Sequence, residues 1–287
     1  LRCPRDYNFQ SRFPNPTNDK YIIICSKSYG DALLRYHRSY DILPSVCRHT
    51  GFSVYCQGNN NTELHNITTI KSFTLHNADA RSAIMFKGLQ GLLLLSIEAS
   101  KFPQLSFSML GNLISLTSFS ISNSSLVTIE WDTFRRSNYL TFLSIEKNPL
   151  RNLDSRTFSP LFLLTYLSLR YTLIASLSDG IFVNNTKLVS LDLSHTNLVQ
   201  VQAKLFQSLD KVLKLDLSQS LLQAGGIIDR DTFSDLSSLA ELRVPVYEIC
   251  CLLQEQIDCL SDEERNLAVK HYCQDIVENR TLFSFIQ

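Results

Sequence analysis

An apolar pattern with a period of 24 residues runs through the centre of this 287-residue chain. In the run from Leu140 to Leu150, apolar side chains occupy the first, fourth and sixth positions, and Asn148 occupies the ninth. The same slots recur every 24 residues in the copies that begin at Leu92 through Val212. Weaker copies begin at Ile70 and Leu239. A fixed period in the range of roughly 20 to 50 residues indicates units that bury their apolar faces only against their neighbours. The chain is therefore predicted to form an elongated solenoid of about eight stacked units.

The spacing of these slots, L-x-x-L-x-L-x-x-N-x-L, resembles that of leucine-rich repeats. The resemblance covers Ile70 to Ile249 and implies an α/β solenoid, with a curved parallel sheet on its concave face and short helical or irregular convex segments. A further column of aromatic side chains is predicted to stack beneath the convex wall, and includes Phe134, Phe158, Phe182 and Phe206. The ninth slot mostly holds Ser or Thr, whose hydroxyls are predicted to bond loop backbone groups that would otherwise be buried without partners.

Eight cysteines flank the repeats, and none lies within them. Because the open ends of a solenoid expose its core, they need caps. We therefore divide the chain into an N-terminal flank and cap at residues 1–66, the repeats at 67–249, and a C-terminal cap or hinge at 250–287. Four cysteines on each side predict two disulfides per cap. The alternative is a metal site, but the C-x-x-C spacing typical of such sites is missing. The cysteines are Cys3, Cys25, Cys47 and Cys56 before the repeats, and Cys250, Cys251, Cys259 and Cys273 after them.

The adjacent cysteines of the C-terminal flank are not expected to bond each other. Neighbouring Cα atoms lie about 3.8 Å apart, which is closer than the usual separation in a disulfide. Cys250 and Cys251 are therefore expected to pair separately with Cys259 and Cys273.

Glycosylation motifs indicate the compartment. An even number of cysteines together with several N-x-[S/T] sequons predicts an extracellular or cell-surface glycoprotein. The sequons lie at Asn60, Asn66, Asn123, Asn184 and Asn279. No stretch of about 18 apolar residues is present, so membrane contact is expected only through segments outside this chain.

Charge and motifs argue against several classes of function. The 27 basic and 27 acidic residues give a net charge of +0, which offers no electrostatic case for nucleic acid or an anionic membrane surface. The sequence contains no nucleotide-binding, zinc-protease or hydrolase motif. We therefore expect no enzyme activity, no cofactor and no metal site.

The concave face is the predicted binding surface. Strand alternation directs the residues between the leucines toward solvent, and aromatic and arginine side chains are enriched at sites where proteins bind. Two alternatives remain open for these residues: cross-strand pairing within the sheet and, for Arg170, a lateral ion pair with Glu146 or Asp192. The candidate residues for a protein ligand or partner receptor are Phe142, Glu146, Tyr166, Arg170, Tyr171, Asp192 and Asp216.

The two flanks carry further resemblances. The segment from Pro44 to Cys56 resembles the hairpin of an N-terminal repeat cap, which implies a Cys47–Cys56 disulfide. The Y-x-x-C-C step at 247–251 resembles the hinge of leucine-rich-repeat-containing G-protein-coupled receptors. That resemblance implies a signalling receptor whose ectodomain binds a hormone. A secreted or matrix protein and an innate immune pattern-binding receptor are the alternatives, and residues 1–46 resemble no family.

Overall fold

Strands recur along the chain at the places that the 24-residue period predicts. The computed structural model describes residues 47–58, 70–79, 86–202, 204–222, 230–244 and 258–261. Within these ranges eleven strands form one sheet: β1 (Cys47–Thr50), β2 (Ser53–Gln57), β3 (Ser72–His76), β4 (Leu94–Glu98), β6 (Ser118–Ser122), β8 (Phe142–Glu146), β9 (Tyr166–Ser168), β10 (Ser190–Asp192), β11 (Lys214–Asp216), β12 (Glu241–Val244) and β13 (Asp258–Ser261).

The sheet is a stack in chain order. β1 and β2 form an antiparallel hairpin, and each later strand of the sheet pairs in parallel with the one before it. The register pairs equivalent positions of successive repeats, so that Leu143 lies beside Leu167 and Leu191 lies beside Leu215. These leucines are buried in one continuous core beneath the sheet. The predicted fold, a leucine-rich-repeat solenoid with a parallel concave sheet, is confirmed.

The convex side contains little regular structure in the described ranges. It carries a two-stranded sheet of β5 (Gln104–Leu105) and β7 (Thr128–Ile129), the short helix α1 (Phe107–Leu110) and a 3-10 helix at 230–233. Elsewhere turns connect the strands, as where the amide of Leu161 donates to the carbonyl of Phe158 over 3.0 Å. The predicted aromatic column is buried, and the rings of Phe158 and Phe182 stack with centroids 6.0 Å apart. Burial of one such side chain stabilises the fold by about 1.5–3 kcal/mol.

The only tryptophan of the chain, Trp131, lies on this convex side and is 48% exposed. The guanidinium of Arg156 lies 4.4 Å from the centre of its ring. Two hydrogen bonds of 2.9 Å hold this guanidinium against both carboxylate oxygens of Asp154. The hydrogen bond from the Arg156 side chain is the main reason that the pKa of Asp154 falls from 3.8 to about 2.

The ninth slot of the repeat works as predicted. Asn148 is 2% exposed, and its Oδ1 accepts hydrogen bonds from the amides of Ser124 (2.9 Å) and Leu126 (3.1 Å). Its Nδ2 donates to the carbonyls of Ile121 (3.0 Å) and Glu146 (2.8 Å). The hydroxyls in the same slot are also buried and donate to backbone carbonyls, at Ser100, Ser124, Thr172, Thr196 and Ser220.

The N-terminal hairpin closes the first end of the solenoid. A disulfide joins Cys47 and Cys56 across β1 and β2, as the resemblance implied. Val54 and Cys56 are each 1% exposed and lie beside Phe73 and Leu75 of the first repeat strand, so the hairpin covers the core there. An open solenoid end would expose these apolar side chains to water.

The other predicted modification sites are only partly within the described ranges. Cys3, Cys25, Cys250, Cys251 and Cys273 lie outside the described residues, as do the sequons at Asn60, Asn66 and Asn279. Cys259 lies in β13, a strand of the segment assigned to the C-terminal flank, and β13 pairs in parallel with β12. The pairing of these cysteines stays a prediction. No helix in the described part of the chain is long and apolar enough to cross a membrane.

Candidate functional site

The parallel register places the candidate residues side by side on the concave face. Phe142 lies opposite Tyr166, and Ser190 lies opposite Tyr166 on the other side. Asp192 and Asp216 are also direct partners on adjacent strands. Because neighbouring strands lie about 4.8 Å apart, residues that are 24 positions apart in sequence meet as side-chain neighbours on this face.

Phe142 and Tyr166 form a stacked aromatic pair at the centre of the sheet. Their ring centroids are 4.5 Å apart and their planes differ by 3°. Both side chains are half-buried, although strand alternation directs them away from the core. Burial is the main cause that raises the pKa of the Tyr166 hydroxyl, and the negative charge of Glu146 raises it further.

Two serines on the same face are buried rather than open to solvent. Ser144 is 5% exposed and Ser168 is not exposed at all. Strand alternation alone predicts that both are accessible. The hydroxyl of Ser144 donates to Glu146 over 3.0 Å, and the hydroxyl of Ser168 accepts the amide of Arg170 over 3.4 Å. The floor of the concave face between the larger side chains is therefore closed.

The charges at the C-terminal end of the described array neutralise one another. Lys214 Nζ lies 2.8 Å from Glu241, whose other oxygen accepts from Arg243 over 2.9 Å. Arg243 also lies 4.0 Å from Asp216. The hydrogen bond from Lys214 is the largest of the effects that lower the pKa of Glu241. Exposed pairs of this kind contribute little stability, on the order of 0–1 kcal/mol each, but they leave no net charge here to attract a ligand.

Arg170 differs from these paired cations. In the part of the chain that the structure describes, it makes no ion pair, so the alternative of a lateral ion pair with Glu146 or Asp192 does not hold. Its guanidinium carbon lies 4.9 Å from the centre of the Tyr171 ring, and its Nη2 lies 3.5 Å from the Tyr171 hydroxyl. That hydrogen bond is the largest effect raising the pKa of Arg170, and the charge of Asp192 raises it further. The Nε atom is buried and has no hydrogen-bond partner.

Tyr171 belongs to a column of residues, here called the ledge, that runs along the edge of the sheet where the strands end. Each ledge residue has a left-handed backbone, with φ between 47° and 56°, and stands one position before the ninth slot. The amides of Lys147, Tyr171 and His195 donate to backbone carbonyls of the following repeat over 3.0, 3.1 and 2.8 Å. The ledge thus extends the hydrogen-bond ladder of the sheet across the repeats. The ledge consists of Asn77, Ala99, Asn123, Lys147, Tyr171, His195 and Gln219.

Sequence reasoning identified some of these residues and missed others. It placed Phe142, Tyr166, Arg170 and Tyr171 on one surface, and the structure brings them together there as two contacting pairs. It overlooked Lys147 and His195, which pack on Tyr171. The missed signal was the period itself, because 147, 171 and 195 are 24 residues apart.

The site contains no set of metal ligands. Among the described residues, no group of three or more His, Cys, Asp or Glu side chains is placed to hold a metal ion. Glu146, Asp192 and Asp216 accept hydrogen bonds from nearby serines instead. The arrangement of aromatic rings, one unpaired guanidinium and scattered carboxylates is suited to non-covalent binding.

Both the repeat pattern and the fold of this chain match those of known proteins. Residues 114–174, 162–222 and 186–245 each match the family model for leucine rich repeats. No curated protein sequence matches the chain. Many solved structures share the fold.

Three of the matching structures are described by their similarity to this chain. Toll, in the Toll–Spatzle complex of Drosophila, is 17% identical with a TM-score of 0.55, over 75% of this chain and 30% of that one. The APL1 leucine-rich repeat domain is 22% identical with a TM-score of 0.51, over 67% of this chain and 46% of that one. TLR13, in complex with ssRNA13, is 22% identical with a TM-score of 0.48, over 70% of this chain and 30% of that one. The chain thus spans less than half the length of each.

These similarities concern the fold alone, because the identities are low. The family matches and the strand register nevertheless agree repeat by repeat, since the matched residues 114–245 include β6 to β12. The repeat array of this chain is therefore a leucine-rich-repeat domain.

Proposed function

We propose that this chain is the extracellular ligand-binding region of a membrane receptor, and that it binds a protein on its concave face. A leucine-rich-repeat solenoid is typically a binding scaffold, because its curved sheet presents one long continuous surface. No enzymatic activity, cofactor or metal is part of this proposal. In the Toll–Spatzle complex a protein of the same fold binds a protein partner.

The observation that carries the proposal is the stacked pair of Phe142 and Tyr166. Two large aromatic side chains stand on the solvent side of the sheet, where the core does not require them. Aromatic residues near the centre of a surface are the usual anchors of protein interfaces. Cross-strand stacking by itself contributes about 0.5–1.5 kcal/mol to sheet stability, so binding and folding roles are separable by measurement.

The experiment is a binding screen of the purified chain against an array of secreted and cell-surface proteins. Each protein that binds is remeasured with Tyr166→Ala and Phe142→Ala, and with Lys187→Ala as the convex control. We expect each aromatic substitution to weaken binding by about 2 kcal/mol, roughly thirtyfold, and the control to leave it unchanged. Melting curves and circular dichroism establish that the variants are folded. Unchanged affinity in both aromatic variants, for every binder, would refute the concave-face proposal.

Nucleic acid is tested in the same screen. The net charge of zero predicts that nucleic acid is not a ligand, but a local cluster of cations can bind a polyanion whatever the net charge. A single-stranded RNA oligonucleotide is therefore included. Binding of this RNA with a steep salt dependence would contradict the prediction.

The extracellular location rests on the disulfide and the sequons. The Cys47–Cys56 bond is of a kind that persists in oxidising compartments, and Asn123 is an exposed sequon. Secretion from mammalian cells followed by mass mapping of glycopeptides tests this part. A chain that carries no glycan at any sequon would contradict it.

The class of receptor to which the chain belongs is a separate part of the proposal. The Y-x-x-C-C step at 247–251 favours a G-protein-coupled receptor, although those residues lie outside the described ranges. The likeness to Toll, whose complex acts in innate immunity, favours an innate immune receptor as the second candidate. A secreted or matrix protein is the remaining alternative. The residues that follow Gln287 in the native chain discriminate among the three, since each class predicts a different continuation.

A further inference from the structure

The ledge brings three side chains into one cluster at the centre of the array. Lys147, Tyr171 and His195 occupy the same position of consecutive repeats and have the same left-handed backbone, with φ of 53°, 56° and 54°. The rings of Tyr171 and His195 stack 4.1 Å apart, and the ammonium of Lys147 lies 5.9 Å from the Tyr171 ring. Arg170 approaches the same ring to 4.9 Å. The repeat geometry therefore gathers two permanent cations around one exposed tyrosine.

Within the described ranges, these two cations lack the ion pairs that other cations of the concave face form. Lys214 and Arg243 form ion pairs with Glu241, whereas Lys147 and Arg170 form none among the described residues. Cation–π contact with Tyr171 stabilises a positive charge but does not cancel it. This cluster, here called the cationic ledge (Lys147, Arg170, Tyr171 and His195), is the part of the concave side where a negative group meets cations that form no ion pair among the described residues.

The guanidinium of Arg170 has an unused hydrogen-bonding group. Its Nε is buried without a partner, and the hydrogen bond from its Nη2 to the Tyr171 hydroxyl is long, at 3.5 Å. Buried polar groups in folded proteins nearly always have a partner, so an orphaned donor at a surface site suggests that the partner arrives with a ligand. A turn of the side chain that exposes Nε sacrifices the long bond to the Tyr171 hydroxyl and the contact with the Tyr171 ring. It presents the Nε–Nη edge, whose planar fork matches the two oxygens of a carboxylate.

We infer that the cationic ledge binds an acidic side chain, Asp or Glu, of a protein partner. The inference rests on the proposed protein-binding function and adds the chemistry of one subsite. A single carboxylate fits because it matches the one guanidinium fork of Arg170, whereas the negative charges of Glu146 and Asp192, which act on Arg170, oppose the binding of a larger anion. The same carboxylates repel a polysulfated or polyphosphate chain, which needs a continuous run of cations. Phe142 and Tyr166 then serve as the apolar anchor beside this polar contact.

The test uses a displayed library of random linear peptides, selected in parallel on the purified chain and on its Arg170→Gln variant. We expect Asp and Glu to be enriched among peptides selected on the unmodified chain and not among those selected on the variant. For individual peptides, Arg170→Gln should weaken binding about tenfold or more, the effect expected of a charged hydrogen bond. Arg170→Lys should give an intermediate loss, because it keeps the charge and removes the fork. Lys147→Gln should also weaken binding.

Lys214→Gln is the matched control, because it removes a concave cation that is already paired; we expect it to change nothing. Equal enrichment of acidic peptides on both proteins, or no enrichment, would overturn the inference. Peptides without acidic residues that lose binding in Tyr166→Ala, but not in Arg170→Gln, would overturn it while supporting the proposed function. Loss in neither variant would contradict both. A heparin-derived oligosaccharide that binds more tightly than any peptide and depends on Arg170 would replace the carboxylate by a sulfated glycan.

Discussion

Substitution of Asn148 by alanine is expected to destabilise the array strongly, although Asn148 lies in a loop. The change removes four hydrogen bonds of 2.8 to 3.1 Å and deprives the amides of Ser124 and Leu126 of their acceptor, while the carbonyl of Glu146 keeps the amide of Asn123 as a donor over 3.1 Å. The site is 2% exposed, so water does not replace them without entering the core. A hydrogen bond contributes about 0.5–1.5 kcal/mol net. The predicted loss in the free energy of unfolding is therefore about 4 kcal/mol, within a range of about 2–6 kcal/mol.

Serine at the same position provides a graded comparison. In the preceding repeat, the hydroxyl of Ser124 donates to the carbonyl of Ser122 over 2.7 Å and accepts the amide of Ser100 over 3.3 Å. Asn148→Ser is expected to recover about two of the four bonds and to cost about 2 kcal/mol. Asn152→Ala is the matched control, since Asn152 is exposed in the same loop region and should change stability by less than about 0.5 kcal/mol.

The assay is urea denaturation at about 25 °C, followed by the fluorescence of the single tryptophan and by circular dichroism. Because repeats interact only with their neighbours, coincidence of the two transitions checks that the array unfolds as one unit. The reasoning is refuted if the alanine and serine variants lose equal stability, or if the alanine variant loses less than about 1 kcal/mol. Either result would mean that the buried backbone groups find other partners.

Three further predictions follow from the packing and the electrostatics. Phe158→Ala should cost about 3–5 kcal/mol and the exposed Phe162→Ala less than about 0.5 kcal/mol, both measured by urea denaturation; equal losses would mean that the convex column is assigned wrongly. Because the pKa of Asp154 is lowered to about 2, its contribution is complete above pH 4 and should be lost as the pH falls toward 2, with a change in tryptophan emission that Asp154→Asn abolishes. Glycan occupancy should be higher at the exposed Asn123 than at Asn184, whose Nδ2 donates to a carbonyl over 3.1 Å; glycopeptide mapping that finds the reverse order contradicts this.

The repeat pattern in the sequence is sufficient to predict the fold and the apolar core, although not the burial of Ser144 and Ser168 on the opposite face. Residues such as Leu143 and Leu167 are 24 positions apart, and stacking of identical units places them side by side without any further information. The buried polar slot at Asn148 follows from the same period, whereas the Cys47–Cys56 disulfide was implied by the resemblance to a cap hairpin. In a solenoid each contact is made at a fixed separation along the chain, so a one-dimensional pattern specifies the core.

Which charges are paired and which backbone positions are strained became clear only from the folded arrangement of the chain. The sequence offered Arg170 a lateral ion pair, yet the ion pairs form instead around Glu241. Such choices depend on side-chain lengths and rotamers over distances of a few ångströms, which no periodicity encodes. The left-handed backbone at Lys147 and Tyr171 was equally hidden, because neither residue type favours positive φ. It follows from the backbone ladder between repeats, which forces one conformation on every residue of the ledge and so assembles the cationic site.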